Sequence, residues 1–270
     1  MDGEPKAAEV DAVTVAGLAL LLMPLLTMVH EIGGHAMACV ALGGKVTQIG
    51  AFYVECDAYD SLAGRLVAAA GPAIDVVVAF FGYWAWRRAR GDLGRLVLWY
   101  VWLCCAFAAA GYLAYSGLTG IGDLNPGESG GGIGPLPQPW LFRILFAVGG
   151  AFAYWRLVVL GMRTLAEMIG QGPETRKARR TIAHLFYAVL CLAAVVASLP
   201  NPVGLFVTLA SATAASFGGN AGLISIGFAT RAGEARTFRL GRNWMLLAIG
   251  LATTAAFAIV LGPTITLGRL

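Results

Sequence analysis

Charge is scarce in this sequence. Only 13% of its 270 residues are Asp, Glu, Lys or Arg, where a soluble domain carries roughly a quarter. Hydrophobic residues make up 58%, and the mean hydropathy is +0.73. An ordinary water-soluble domain is excluded. Several apolar runs reach about 20 residues, the length of a membrane-crossing helix. The reading is an all-α polytopic membrane protein with six to seven transmembrane helices, and its first partner is the lipid bilayer. Cysteine is also sparse. Cys39, Cys104, Cys105 and Cys191 lie in apolar runs, only Cys56 falls in a loop, and no C-x-x-C spacing occurs. No disulfide framework, structural zinc site or redox motif is expected from that pattern. The net charge of +4 sits in arginines of short loops, so no nucleic-acid partner is implied. The N-terminal "MDGEPKAAEVD" lacks a basic stretch, which argues against a cleaved signal peptide.

The apolar runs predict spans near 12–42, 62–86, 96–119, 139–162, 181–200, 202–230 and 243–266. The sixth contains "ASATAASFGGNAGLIS", a composition suited to close packing, a broken helix or a re-entrant segment. Three connections are basic: "RRARGDLGR" at 87–95, "RKARR" at 176–180 and "RAGEARTFRLGR" at 231–242. With seven crossings all three share one side, and the positive-inside rule makes it cytoplasmic. Segments 43–61 and 120–138 then share the other side. The loop "GLTGIGDLNPGESGGGIGPLPQP" at 117–139 holds too much Gly and Pro for a regular helix. Trp84, Trp86, Trp99, Tyr100 and Trp102 read as an interfacial belt beside the 87–95 loop.

Ionisable groups within a membrane span are costly and mark function or pairing. The chain has three histidines, and two of them, His30 and His35, flank Glu31 in the first run, "MVHEIGGHAM". This is H-E-x-x-x-H, one residue longer than the zinc-protease pattern H-E-x-x-H. Four residues apart, two histidines sit about 40° apart around a helix; five apart, about 140°. A regular helix would point these rings away from one another. A π-bulge at Gly33-Gly34 would restore a shared face, and a helix break there would free His35 to turn back. The alternative is a polar cluster paired within the membrane. Spans one and three run in the same direction, so Asp123 lies at the end of the bundle that carries the histidines. Two His and one Asp with an open fourth position make a catalytic zinc shell. Asp123 could instead turn the chain before Asn125-Pro126, with Glu128 as the competing carboxylate.

The stretch "HEIGGHAMACVALGGKV" resembles the first motif of the site-2 protease-like intramembrane zinc metalloproteases. "AGPAIDVVVA" at 70–79 is similar to that family's second-helix G-P-x-x-N segment, with Asp75 in the place of Asn. "GIGDLNPG" at 120–127 stands where the family places its third ligand. The resemblance covers roughly residues 12–130 and implies a three-helix core within 1–138, followed by additional transmembrane helices in 139–270. It also implies Zn2+ held by His30, His35 and Asp123, Glu31 as catalytic base, and Asp75 holding substrate or backing the metal shell. The alternative for Asp75 is pairing with Arg65 or a hydroxyl. His184 reads as an interfacial residue rather than a ligand.

The function implied is hydrolysis of a peptide bond in or near a transmembrane segment of a membrane-protein substrate, in the inner (plasma) membrane of a bacterium. A strand near 46–55, "VTQIGAFYVE", would add to the substrate by β-augmentation. The 117–139 loop and "SFGGNAGLIS" at 216–225 would line the water path. Two other classes remain open: a non-enzymatic homologue acting as scaffold, chaperone or regulator, and a metal-dependent membrane enzyme with another substrate such as a lipid.

Overall fold

A computed structural model describes residues 8–58, 61–128, 132–202 and 218–267. Five helical stretches are long and apolar enough to cross a bilayer: Ala12–Ala41, Ser61–Arg88, Asp92–Thr119, Pro139–Ile169 and Pro173–Ser198. Helices dominate because a chain in hydrocarbon must satisfy every backbone N–H and C=O within itself.

The chain opens with a short strand, β1 (Glu9–Val10), and then α1 (Ala12–Met28). Asp11 caps α1, its side chain accepting from the Val13 N–H at 2.9 Å. α1 runs without interruption into a π-helical segment, Val29–Ala36, and then α2 (Met37–Ala41). A β-hairpin follows, β2 (Lys45–Ile49) and β3 (Val54–Asp57), and the chain returns along α3 (Ser61–Arg88). A tight turn, with Gly91 at φ +81°, leads into α4 (Asp92–Thr119). The glycine-rich loop connects to α5 (Pro139–Ile169). Next come α6 (Arg176–Arg180), a second π-helical segment (Thr181–Leu185) and α7 (Phe186–Ser198). The described chain ends with α8 (Gly222–Phe228), β4 (Arg239–Leu240), α9 (Trp244–Val260) and β5 (Ile265–Thr266).

The first five expected spans correspond to helices, the fourth reaching Ile169 and the fifth starting near Pro173. Most of the sixth, 203–217, lies outside the described residues; α8 is its described part. The seventh is shorter than expected. α9 stops at Val260, and the chain turns into β5, which pairs antiparallel with β2 through Gln48↔Thr266 and Ile49↔Ile265. The single strand expected at 46–55 is a hairpin broken at 50–53, with β2 in the middle of the order β3-β2-β5. The α4 helix also continues through Thr119 into the segment expected as loop.

Two further expectations are corrected. Cys39 and Cys56 form a disulfide, with Cα atoms 6.0 Å apart, which fastens α2 to β3. The aromatic belt is mostly core. Trp86, Trp99, Tyr100 and Trp102 are buried, and only Trp84 is exposed. The polar tips of Trp86, Trp99 and Tyr100 find internal partners, which makes their burial tolerable, whereas the Trp102 Nε1 has none among the described residues. Trp99 Nε1 donates to Thr164 Oγ1 at 2.9 Å, and Tyr100 OH donates to the Ile182 carbonyl at 2.7 Å. Trp84 is exposed, with the Arg88 guanidinium 3.9 Å from its ring centroid.

Candidate metal centre

The π-helical segment runs from Val29 to Ala36 and brackets both histidines. Its extra residue per turn cancels the five-residue spacing, so His30 and His35 share a face, with ring centroids 5.0 Å apart. Of the two readings of Gly33-Gly34, the π-bulge is the one found; the helix does not break.

The two glycines do different work. A side chain on Gly33 would enter nearly open space, its nearest neighbour being Val29 Cγ1 at 4.0 Å. A Cβ on Gly34 would lie 2.6 Å from the Gly71 Cα and 2.8 Å from the Ala70 carbonyl oxygen. Gly34 therefore lets α3 pass close to the π segment. Gly71 completes the crossing from the other side, since a methyl there would overlap Nε2 of both histidines.

That close approach brings two acceptors from α3 to the backs of the rings. His30 Nδ1 lies 2.7 Å from Asp75 Oδ2, and His35 Nδ1 lies 2.7 Å from the Val67 carbonyl oxygen. A backbone carbonyl only accepts, and so does an ionised carboxylate, so both Nδ1 atoms donate. In the neutral rings Nε2 is then left with a lone pair. Both Nε2 atoms face Asp123 Oδ2, at 3.2 Å from His30 and 3.5 Å from His35. The three ligand atoms lie within 4.8 Å of one another. Three lone-pair donors aimed at one point repel unless positive charge lies between them.

The spacing fits a metal. Two donors at ~2.0–2.1 Å from a tetrahedral ion stand about 3.4 Å apart. Orienting imidazoles through Nδ1 to a carboxylate or carbonyl is the usual support for a His-bound ion. The Tyr112 ring stacks on His30 at a centroid distance of 4.9 Å and fixes its plane.

Asp123 lies in the loop just beyond α4, and Glu128, the competing carboxylate, is exposed. Burial opposes ionisation of Asp123, but with the rings protonated, hydrogen bonds and charge from His30 and His35 outweigh it and hold the carboxyl well below the usual range; between neutral rings a bound cation would supply that charge instead. The group is an anion at neutral pH. Asp75 pairs with His30 rather than with Arg65. His184 lies outside the cluster, its Nε2 3.0 Å from the Ile224 carbonyl oxygen.

Glu31 is buried at 5% exposure. It lines a cavity of about 50 Å3 with His30, Asp75, Thr27, Tyr112, Asn220 and the apolar Met23, Leu26 and Leu190. A water needs roughly 10–15 Å3 of such space and two to four polar partners, so the cavity has room for a few. Asn220 brings the segment expected to line a water path to this wall. Tyr112, the Val67 carbonyl and the disulfide were missed in the sequence. Comparison with protein-family models, curated proteins and solved structures returns no match to this chain.

Proposed function

We propose that this protein is a membrane-embedded zinc metallopeptidase of the site-2 protease-like kind, acting on membrane-protein substrates. One observation carries the reading: two imidazoles with their Nδ1 protons already committed and one carboxylate aim three lone-pair donors at a single point. The donor set of two His and one Asp leaves a fourth position open, as hydrolytic zinc sites do. When bound there, zinc supplies the Lewis acidity that polarises a carbonyl and acidifies water.

The protein's own groups do the rest. Asp75 and the Val67 carbonyl keep both rings turned towards Asp123. Glu31, beside His30 and facing the cavity, takes a proton from water as its oxygen adds to the scissile carbonyl carbon. Glu31 then delivers that proton to the leaving nitrogen as the C–N bond breaks. The products are a carboxylic acid and an amine, and the base is restored. The cavity has room for a few waters within reach of Glu31. The outer edge of β3, which packs beside the π segment, suits pairing with an unwound substrate strand.

Glu31→Gln tests the reading. The variant keeps one zinc per chain and the fold, and it loses hydrolysis of a transmembrane peptide by about 10²-fold or more. A wild-type protein that purifies without stoichiometric zinc would instead favour the non-enzymatic scaffold.

A further inference from the structure

Two features with unrelated chemistry bear on which side of the membrane the centre faces. The first is the Cys39–Cys56 disulfide. Cys39 is fully buried in α2, four residues past His35, and its partner lies in β3. The bond therefore sits at the same end of the bundle as the metal ligands. Disulfides persist in oxidising compartments and are rare where glutathione keeps thiols reduced.

The second is the distribution of positive charge. Each of the three basic connections holds four Lys or Arg, twelve of the nineteen in the chain. The fold gathers all three at one end, together with the N-terminal strand. Gln171 N donates to the Glu234 carbonyl at 2.9 Å, and Gly172 N to the Arg231 carbonyl at 3.0 Å, joining the second connection to the third. Arg239 N donates to Asp92 Oδ2 at 2.8 Å, joining the third to the first. β1 pairs with β4 through Glu9↔Arg239, and Arg242 Nε meets Asp11 Oδ2 at 3.1 Å. The opposite end carries Lys45, Arg65 and Arg143 among the described residues. Arg143 is occupied there, capping α4 at the Gly117 and Leu118 carbonyls at 3.1 and 2.7 Å. The positive-inside rule turns the basic end to the cytoplasm. The metal centre, the hairpin and the Asp123 loop then face away from it, in agreement with the disulfide.

We infer that the metal centre opens on the oxidising, non-cytoplasmic side of the bilayer. Resting on the metallopeptidase reading, its substrates are membrane proteins cut where their chain emerges on that side. Their soluble products leave into the oxidising compartment rather than into the cytoplasm.

Sidedness is tested without any substrate. Glu128→Cys on the site end and Arg90→Cys on the basic end both place a thiol at an exposed position, while Cys104, Cys105 and Cys191 are buried. The full-length variants are made in a bacterial host and treated, in intact spheroplasts, with a membrane-impermeant maleimide. The unsubstituted protein serves as background. The position 128 thiol takes up about tenfold more label than the position 90 thiol, and permeabilisation removes the difference. Lys45→Cys, on the hairpin, gives a second site-end probe if Glu128→Cys fails to accumulate. Alkylation in cells followed by peptide mapping recovers Cys39 and Cys56 still bonded. A position 90 thiol labelled from outside, shielded site-end thiols, or Cys39 and Cys56 recovered as free thiols would overturn the inference. Zinc content of the same preparations separates the two readings. Expected labelling without zinc ends the metallopeptidase reading and keeps the sidedness.

Discussion

Two π-helical segments among the described residues, Val29–Ala36 and Thr181–Leu185, each hold histidine against a glycine of a neighbouring element. Gly71 lies against His30 and His35, and Gly227 lies against His184. Of the two, only the first gathers a group that could hold a metal ion. The difference is which nitrogen the surroundings consume. At the first segment Asp75 and the Val67 carbonyl engage Nδ1, and both Nε2 atoms converge on a carboxylate. At the second, Nε2 itself meets the Ile224 carbonyl, and the ring packs against Phe228 at 4.4 Å between centroids. The π turn is thus a means of presenting a side chain. Its partners decide whether the histidine becomes a ligand or a closed structural contact.

The contrast breaks most sharply at Gly71. Gly71→Ala puts a methyl against Nε2 of both ligand histidines, and we expect zinc binding to fall below detection in a competition assay with a chromophoric chelator. Wild-type affinity would show that α3 does not approach the centre so closely. Gly34→Ala comes next, because its methyl meets backbone of α3, which cannot rotate away. It should weaken zinc by about 10²-fold or more, the α3 anchors of both rings being displaced together. Gly33→Ala should leave zinc unchanged and, by restoring helix propensity, stabilise by about 0.5–1 kcal/mol. Equal effects at the two glycines would mean that the π turn itself, not the crossing, demands glycine.

Asp75→Asn keeps the shape but removes the charge behind His30, and a loss of about 10–100-fold in zinc affinity is expected. The smallest effect belongs to the second segment. His184→Ala should leave zinc affinity within about twofold, since distant sites act independently. A larger change in the same chelator titration would couple the two π segments.

Much of the centre was legible because membranes make charge expensive. Three ionisable residues within six positions of an apolar run needed a reason, and the five-residue spacing beside two glycines already suggested a π turn. Asp75 was legible only as one of two alternatives, since its choice of His30 over Arg65 depends on how α3 crosses the π segment. For a similar reason only the fold shows that the loop brings Asp123, not Glu128, to the histidines. The Val67 carbonyl could not be read at all, because a backbone group carries no residue-type signal. Tyr112 looked like any aromatic in a span. Cys39 and Cys56, 17 positions apart, bracket a β-branched stretch with Gly at its turn, but Cys39 lies in the first apolar run, which gave no sign that the hairpin folds back onto it. The aromatic residues misled because neighbouring arginines suggested an interface, whereas Thr164 and the Ile182 carbonyl supply partners for Trp99 and Tyr100 inside the bundle.

The three-stranded sheet beside the metal centre has a consequence for the order of assembly. Its middle strand belongs to the first hairpin, but one flank, β5, is made more than two hundred residues later. Leu267 N donates to the Thr47 carbonyl at 2.8 Å, and Tyr53 OH meets Thr264 Oγ1 at 2.7 Å across 211 positions. Contacts this distant in sequence form late. As the ribosome feeds the chain into the membrane, both histidines, Glu31 and Asp123 are in place well before β5 exists. The sheet is complete only when that last strand arrives. A nascent chain arrested before position 265 would carry His30, His35 and Asp123 beside an unfinished sheet, so the residues that could hold a metal precede the strand that completes it.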